Sequence, residues 1–263
     1  MKLMNTVHYI YRMRYFWLYL ARCDLIARYR RSKLGMLWIV MSPVLLTVIM
    51  SVVLGSVFKM SIIEYAPYIL IGMVAWELFT SSLVTGGGTF LGAYPYIRQF
   101  NHPVIIYTLK SAVVYTANFL IASVGIIIWT LFLSPANVLL GLFTLPLTTV
   151  LFFFLSWALV TIAAFINTKY RDYPQMMSLL MQALWYVSPV YFQESMFEAN
   201  QYLLMLFRYN PITHILYLLR KPFLYCQLPV WSDYLFTVGC IVFFGLIAFF
   251  LNKKNAKKVI FYL

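Results

Sequence analysis

Residues 111–168 read SAVVYTANFLIASVGIIIWTLFLSPANVLLGLFTLPLTTVLFFFLSWALVTIAAFINT, 58 consecutive positions without a charged side chain. One crossing of a hydrocarbon layer takes about 20 apolar residues, so this run is too long for a single helix. At its middle stands Ser134-Pro135-Ala136-Asn137, a turn cluster. The stretch therefore predicts a tight hairpin of two membrane-spanning helices.

Composition carries that reading to the whole chain. Of 263 residues, 63% are hydrophobic and only 10% charged, whereas soluble domains are nearer half apolar and a quarter charged. The fold class is an all-α membrane protein. The net charge of +13 would suggest nucleic acid in a soluble protein. In so apolar a chain it points instead to membrane topology and anionic lipid headgroups, with no nucleic-acid partner. Cys23, Cys226 and Cys240 are too far apart for a disulfide framework or a metal site, and His8, His102 and His214 are equally scattered.

Working outward from the hairpin, uncharged runs at 34–58, 173–193 and 234–252 each supply a further span, and 66–85 supplies one that carries a single acid, Glu77. With 111–133 and 138–166 the total is six, so both termini lie on one side. Lys and Arg number sixteen on that side: eight before the first span, two in 86–110, two in 167–174 and four in the tail KKNAKK. The other side has four: Lys59, Arg208, Arg220 and Lys221. This imbalance predicts cytoplasmic termini. The chain divides into an N-terminal segment (1–33), a transmembrane domain (34–252) and a basic tail (253–263). Residues 194–233 contain apolar stretches of only about ten residues, too short to cross, which predicts re-entrant or interfacial half-helices.

The first 30 residues are neither a cleavable signal nor a span, because Arg12, Arg14, Arg22 and Asp24 interrupt them. Met13, Phe16, Trp17, Leu20, Cys23 and Ala27 fall on one helical stripe opposite Arg14 and Arg22, as expected of an amphipathic helix lying in the interface. Asp24 sits near the apolar stripe, with Arg28 one turn later as a possible partner. Beyond it, RYRRSK (28–33) places four cations in six positions beside the first span. Topology explains such a knot, but Arg28, Arg30, Arg31 and Lys33 could also hold something anionic at the membrane surface, since arginine forks two hydrogen bonds onto a phosphate.

No G-x-x-x-x-G-K-[ST] occurs, and Gly86-Gly87-Gly88 is followed by Thr-Phe, so that run reads as a flexible break after a span rather than a phosphate loop. Glu77, an acid inside a span, is a functional hypothesis by default, yet without a basic partner it is a thin basis for ion coupling. Glu194 and Glu198 are four apart and could share a helix face, the minimum for a two-carboxylate enzyme acting on lipid-linked sugars. Acids so spaced on an exposed helix are more often simply solvated. The 50 aromatics (22 Phe, 21 Tyr, 7 Trp) suit interfacial belts and bundle packing, although some could stack on sugar rings along a conduit.

Three stretches resemble ABC-2 type permeases of polysaccharide export. RYRRSKLGMLWIVMSPVL is similar to the approach to their first span, and YRDYPQM (170–176), with Arg171 and Asp172, to the loop before their fifth. NPITHILYLLR (210–220), with Pro211, His214 and Arg220, is similar to their C-terminal signature. The resemblance covers about 10–255. It implies a non-enzymatic subunit that binds no cofactor and forms a homodimer with two copies of a separate nucleotide-binding subunit, where ATP is bound. It also implies a bacterial inner-membrane location and export of an undecaprenyl-diphosphate-linked glycan: O-antigen first, with capsule or teichoic acid as alternatives. On that implication, the anion expected at Arg28, Arg30, Arg31 and Lys33 is the diphosphate of the cargo. The helix that contacts the ATPase maps to about 87–103, including Tyr94, Tyr96, Arg98 and His102.

Overall fold

The computed structural model describes residues 3–30, 32–100, 102–197, 201–256 and 258–263, and no strand occurs among them. Two helices, α1 (Leu3–Arg12) and α2 (Arg14–Tyr29), precede a short turn and the first long helix, α3 (Trp38–Phe58). Next come α4 (Ile62–Leu83), a 3-10 turn over Thr85–Gly88, and the short α5 (Thr89–Gly92) and α6 (Tyr94–Gln99). The hairpin is α7 (Ile105–Leu133) and α8 (Pro135–Lys169), joined by Ser134 alone. After α9 (Tyr173–Val187) come α10 (Gln201–Tyr209), α11 (Pro211–Tyr225), α12 (Trp231–Asn255) and α13 (Val259–Tyr262).

Among the described residues, five segments are long and apolar enough to cross a membrane: Gly35–Phe58, Ile62–Gly92, Ile105–Leu133, Pro135–Lys169 and Trp231–Asn255. The run 173–193 differs from expectation. Its helix, α9, has 15 residues, about 22 Å at 1.5 Å each, short of the ~30 Å hydrocarbon core. Ser188 to Tyr191 then form a turn at the level of Tyr68 and Gly72 of α4, and the chain continues without helix beside Tyr65 and Tyr68. The run is thus part helix and part turn and non-helical backbone. Ser188-Pro189 is the reason, because proline disfavours helix in the residue before it.

α4 is the centre of the bundle, buried without interruption from Tyr65 to Trp76 and packed by α3, α7 and α8. In hydrocarbon, helices associate through close packing and interhelical hydrogen bonds rather than through exclusion of water. The Ser82 and Ser156 hydroxyls accordingly share a 2.6 Å bond between α4 and α8. Trp157 Nε1 and Thr161 Oγ1 both donate to Thr108 Oγ1, joining α8 to α7. By contrast α3 and α12 leave long apolar faces outside the bundle.

Gly86-Gly87-Gly88 is a packed turn, not a flexible break. A Cβ on Gly86 would stand 3.1 Å from Val160, and one on Gly87 would stand 3.1 Å from the Tyr173 ring. Asn167 Nδ2 donates to Gly87 O at 2.9 Å and fixes the turn. Small residues here let α8 and α9 approach the backbone.

Both ends of the described chain lie at one end of the bundle. Val259 of α13 packs with Phe90, Ala93, Ile97 and Phe165, while Tyr9 of α1 reaches His102 just beyond α6. We call this the basic end. Asp24 remains exposed but lies on the side of α2 that meets α7, where it pairs with Lys110 Nζ at 2.5 Å. The Arg28 side chain, named above as its possible partner, lies outside the described residues.

Candidate functional site

The C-terminal signature forms the best-defined polar assembly. Asn210 caps α11, accepting from Ile212 N at 2.9 Å, and Pro211 takes the first helical position, where a missing N–H costs nothing. This start directs the apolar face of α11 into the bundle, burying Ile215, Leu216, Leu218 and Leu219. Arg220 follows on that face and is completely buried, 0% exposed.

No carboxylate meets the Arg220 guanidinium among the described residues. Nη1 donates to Pro189 O at 2.6 Å, and Nη2 to Val190 O at 2.9 Å and Tyr68 O at 3.2 Å. The guanidinium carbon lies 3.5 Å from the centroid of the Tyr68 ring, a cation–π contact. Tyr65 Oη donates to Tyr191 O at 2.7 Å and Tyr68 Oη to Phe192 O at 2.8 Å. Every carbonyl from Pro189 to Phe192 thus has a side-chain donor. Non-helical backbone within a bundle needs such partners, since none is available from hydrocarbon. Arg220 is therefore a clamp on the non-helical backbone after α9 rather than an external loop charge. Of the four cations assigned above to the far side, it is the one that the fold removes from the surface.

His214 is one turn and a half earlier. Its Nδ1 lies 2.9 Å from Asp233 Oδ1 and its Nε2 3.1 Å from Arg208 O, and its ring stacks on Phe236 at 4.1 Å. Asp233, only 1% exposed, also accepts from Lys221 Nζ at 2.6 Å and Val230 N at 3.0 Å. Together these contacts bind α10, α11 and the start of α12. Asn137, read as a turn residue, belongs here too, since its Nδ2 donates to Phe223 O and Leu224 O. Two glycines that sequence reasoning passed over shape the same region. A Cβ on Gly72 would lie 2.8 Å from Arg220 Nη2, and one on Gly141 would lie 2.4 Å from the Phe223 ring. A lone glycine inside a long apolar run was the available signal.

At the basic end, Tyr94, Tyr96 and Arg98 are exposed on or beside the short α6, whose Ile97 is buried as its anchor. His102 is half-buried instead. It shares a 2.6 Å hydrogen bond with Tyr9 Oη and packs edge-on to Phe16, and burial holds its imidazole below the usual range. Phe16 also meets Tyr96 edge-on. The N-terminal helices therefore brace this segment. Arg171 donates to Tyr262 O at 2.9 Å, while Asp172 is exposed and caps nothing with its side chain. Arg30 and Lys33 are exposed; Arg31 and the Arg28 side chain lie outside the described residues. Glu194 pairs with Arg208 Nε at 2.8 Å, and Glu198 lies outside the described residues.

A helical bundle with several candidate membrane spans, a non-helical turn clamped from its C-terminal signature and a small braced helix at the basic end defines a polytopic all-α membrane protein. Residues 15–224 match the ABC-2 type transporter family, and the chain belongs to it. It is similar to the O-antigen export system permease protein RfbA of Klebsiella pneumoniae, at 22% identity over 76% of this chain and 77% of that protein. It is also similar to the protein of the same name in Myxococcus xanthus, at 23% identity over 81% and 82% of the two chains. The chain is a multi-pass membrane permease of an ABC transport system, and membership implies an ATPase partner subunit.

Proposed function

We propose that this permease exports a lipid-linked bacterial cell-surface polysaccharide, O-antigen first, from the cytoplasmic leaflet outward. The observation that carries the reading is the similarity, over three quarters of the chain, to proteins named as O-antigen export permeases. The basic end faces the cytoplasm of the inner membrane, in keeping with the positive-inside bias. Two copies of the chain form the conduit and two ATPase subunits dock on the segment from Tyr94 to His102. This chain binds no cofactor, and ATP is bound and hydrolysed on the partner. Arg28, Arg30, Arg31 and Lys33 receive the diphosphate of an undecaprenyl-linked glycan, where arginine combines charge with a forked hydrogen bond.

Cells lacking the protein are the test. The reading requires glycan to vanish from the surface while its lipid-linked form accumulates inside, with both effects reversed by restoring the chain. Loss of the lipid-linked glycan from both compartments would instead indicate an enzyme of its synthesis.

A further inference from the structure

Glu77 is unexplained by the family reading, by the C-terminal clamp and by the braced α6. It is exposed although its neighbours on α4 from Tyr65 to Trp76 are all buried. A carboxylate facing lipid tails would be costly, and buried pairs or polar cavities are the usual remedies. No cation meets Glu77 among the described residues. It lines a cleft of about 240 Å³ between α3, α4 and α7, together with Trp38, Ser42, Ser81, Asn118 and Phe119.

The polar groups of this cleft are incompletely satisfied. Ser81 Oγ donates to Glu77 Oε1 at 2.9 Å, and no donor reaches Oε2 among the described residues. Asn118 Oδ1 is buried behind the cleft wall and has no hydrogen-bond partner among the described residues. A structural acid and amide would be expected to satisfy one another, because an unpaired buried acceptor destabilises the fold. Instead the Glu77 carboxylate and the Ser42 and Ser81 hydroxyls are presented beside the rings of Trp38 and Phe119. Hydroxyl-rich, partly apolar ligands have the complementary chemistry: carboxylate and hydroxyl oxygens accept from sugar hydroxyls, and aromatic faces meet the C–H surface of a pyranose. The volume is below the ~300 Å³ at which drug-sized pockets begin, which suits a single ring rather than an oligosaccharide.

Position supports the same occupant. Trp38 begins α3 and Glu77 is six residues before the end of α4, so the cleft lies in the half of the bundle near the basic end. Trp38 Nε1 donates to Ser32 Oγ at 3.1 Å, which ties the mouth of the cleft to the segment carrying Arg30 and Lys33. A diphosphate held by those cations would place the sugar bonded to it at this mouth. We infer that the cleft is a recognition site for the first sugar of the polyprenyl-diphosphate-linked cargo, with Glu77 accepting hydrogen bonds from its hydroxyls. The inference rests on the exporter reading above and adds to it a contact that selects loaded carrier over bare carrier.

The test compares two probes, undecaprenyl diphosphate and undecaprenyl diphosphate bearing one N-acetylhexosamine, on the full chain with its ATPase partner in lipid nanodiscs. The native protein should bind the sugar-bearing probe about tenfold more tightly, as sites built to hydrogen-bond hydroxyls discriminate against ligands lacking them. Glu77→Gln and Glu77→Leu should each remove most of that preference while leaving affinity for the bare carrier unchanged, which also shows that the variants are folded. An undiminished preference in both variants, or no preference in the native protein, would overturn the cleft assignment while leaving export intact. Failure of the native protein to bind either probe would overturn the assignment together with the cargo reading on which it rests.

Discussion

Arg220 and Gly72 fit together only because residue 72 has no side chain: a Cβ there would stand 2.8 Å from Arg220 Nη2 and 2.8 Å from Val190 O. The contact fixes how α4, α11 and the turn at 188–191 meet. It allows the chain to continue past the end of α9 as non-helical backbone whose carbonyls are held by side chains.

Gly72→Ala should therefore destabilise the protein by about 2 kcal/mol, as for overpacking in a rigid core. Gly239→Ala is the control, since a Cβ there meets nothing within 4 Å. Thermal unfolding in detergent should show a lowered midpoint for the first variant and an unchanged one for the second.

Arg220→Lys tests whether charge or geometry matters in the clamp. An ammonium on a flexible stem cannot present the planar fork that meets Pro189 O, Val190 O and Tyr68 O together. Loss of even one charged hydrogen bond there, with its carbonyl left buried, costs on the order of 2–3 kcal/mol. The variant should give reduced folded yield and increased protease cleavage near residue 190. Normal yield and cleavage would make the site a charge requirement only.

Most of the long helices were legible as uncharged runs, and the hairpin as a turn cluster inside one of them. Those signals are local, since hydrocarbon thickness acts on each segment separately. The break after α9 was less legible. Residues 173–193 form an uncharged run, and only Ser188-Pro189 marks where the helix stops. The role of Arg220 was hidden for a different reason: its partners are backbone carbonyls, which every residue has, so no complementary side chain advertises the contact. Asp24 looked misplaced on the α2 stripe because its partner, Lys110, is 86 residues away. The three stretches that carried the family resemblance included two residues of the clamp assembly, His214 and Arg220, but neither Gly72 nor Asn137.

Arg98→Glu should uncouple transport. Arg98 is exposed on α6, which Ile97 and the Phe16–Tyr96 contact hold in place, so a reversed charge there should disturb a docked partner more than the fold. ATP hydrolysis by the partner should lose its stimulation by the permease while membrane insertion stays normal. Full stimulation in an assembled complex would remove Arg98 from the interface.

Replacing Arg28, Arg30 and Arg31 together by Lys keeps the orientation signal and removes the forked hydrogen bond. A diphosphate site predicts a correctly inserted protein whose glycan accumulates inside. Export at the native rate would leave these cations as a topological anchor.

The central claim is tested most directly by reconstituting the chain with its ATPase partner in vesicles that carry a lipid-linked glycan, and measuring how much glycan reaches the leaflet opposite the ATPase. The account predicts transfer that needs ATP and both subunits and that stops when the partner cannot hydrolyse nucleotide. Transfer that proceeds without ATP, or a glycolipid altered in structure but left in its original leaflet, would contradict it.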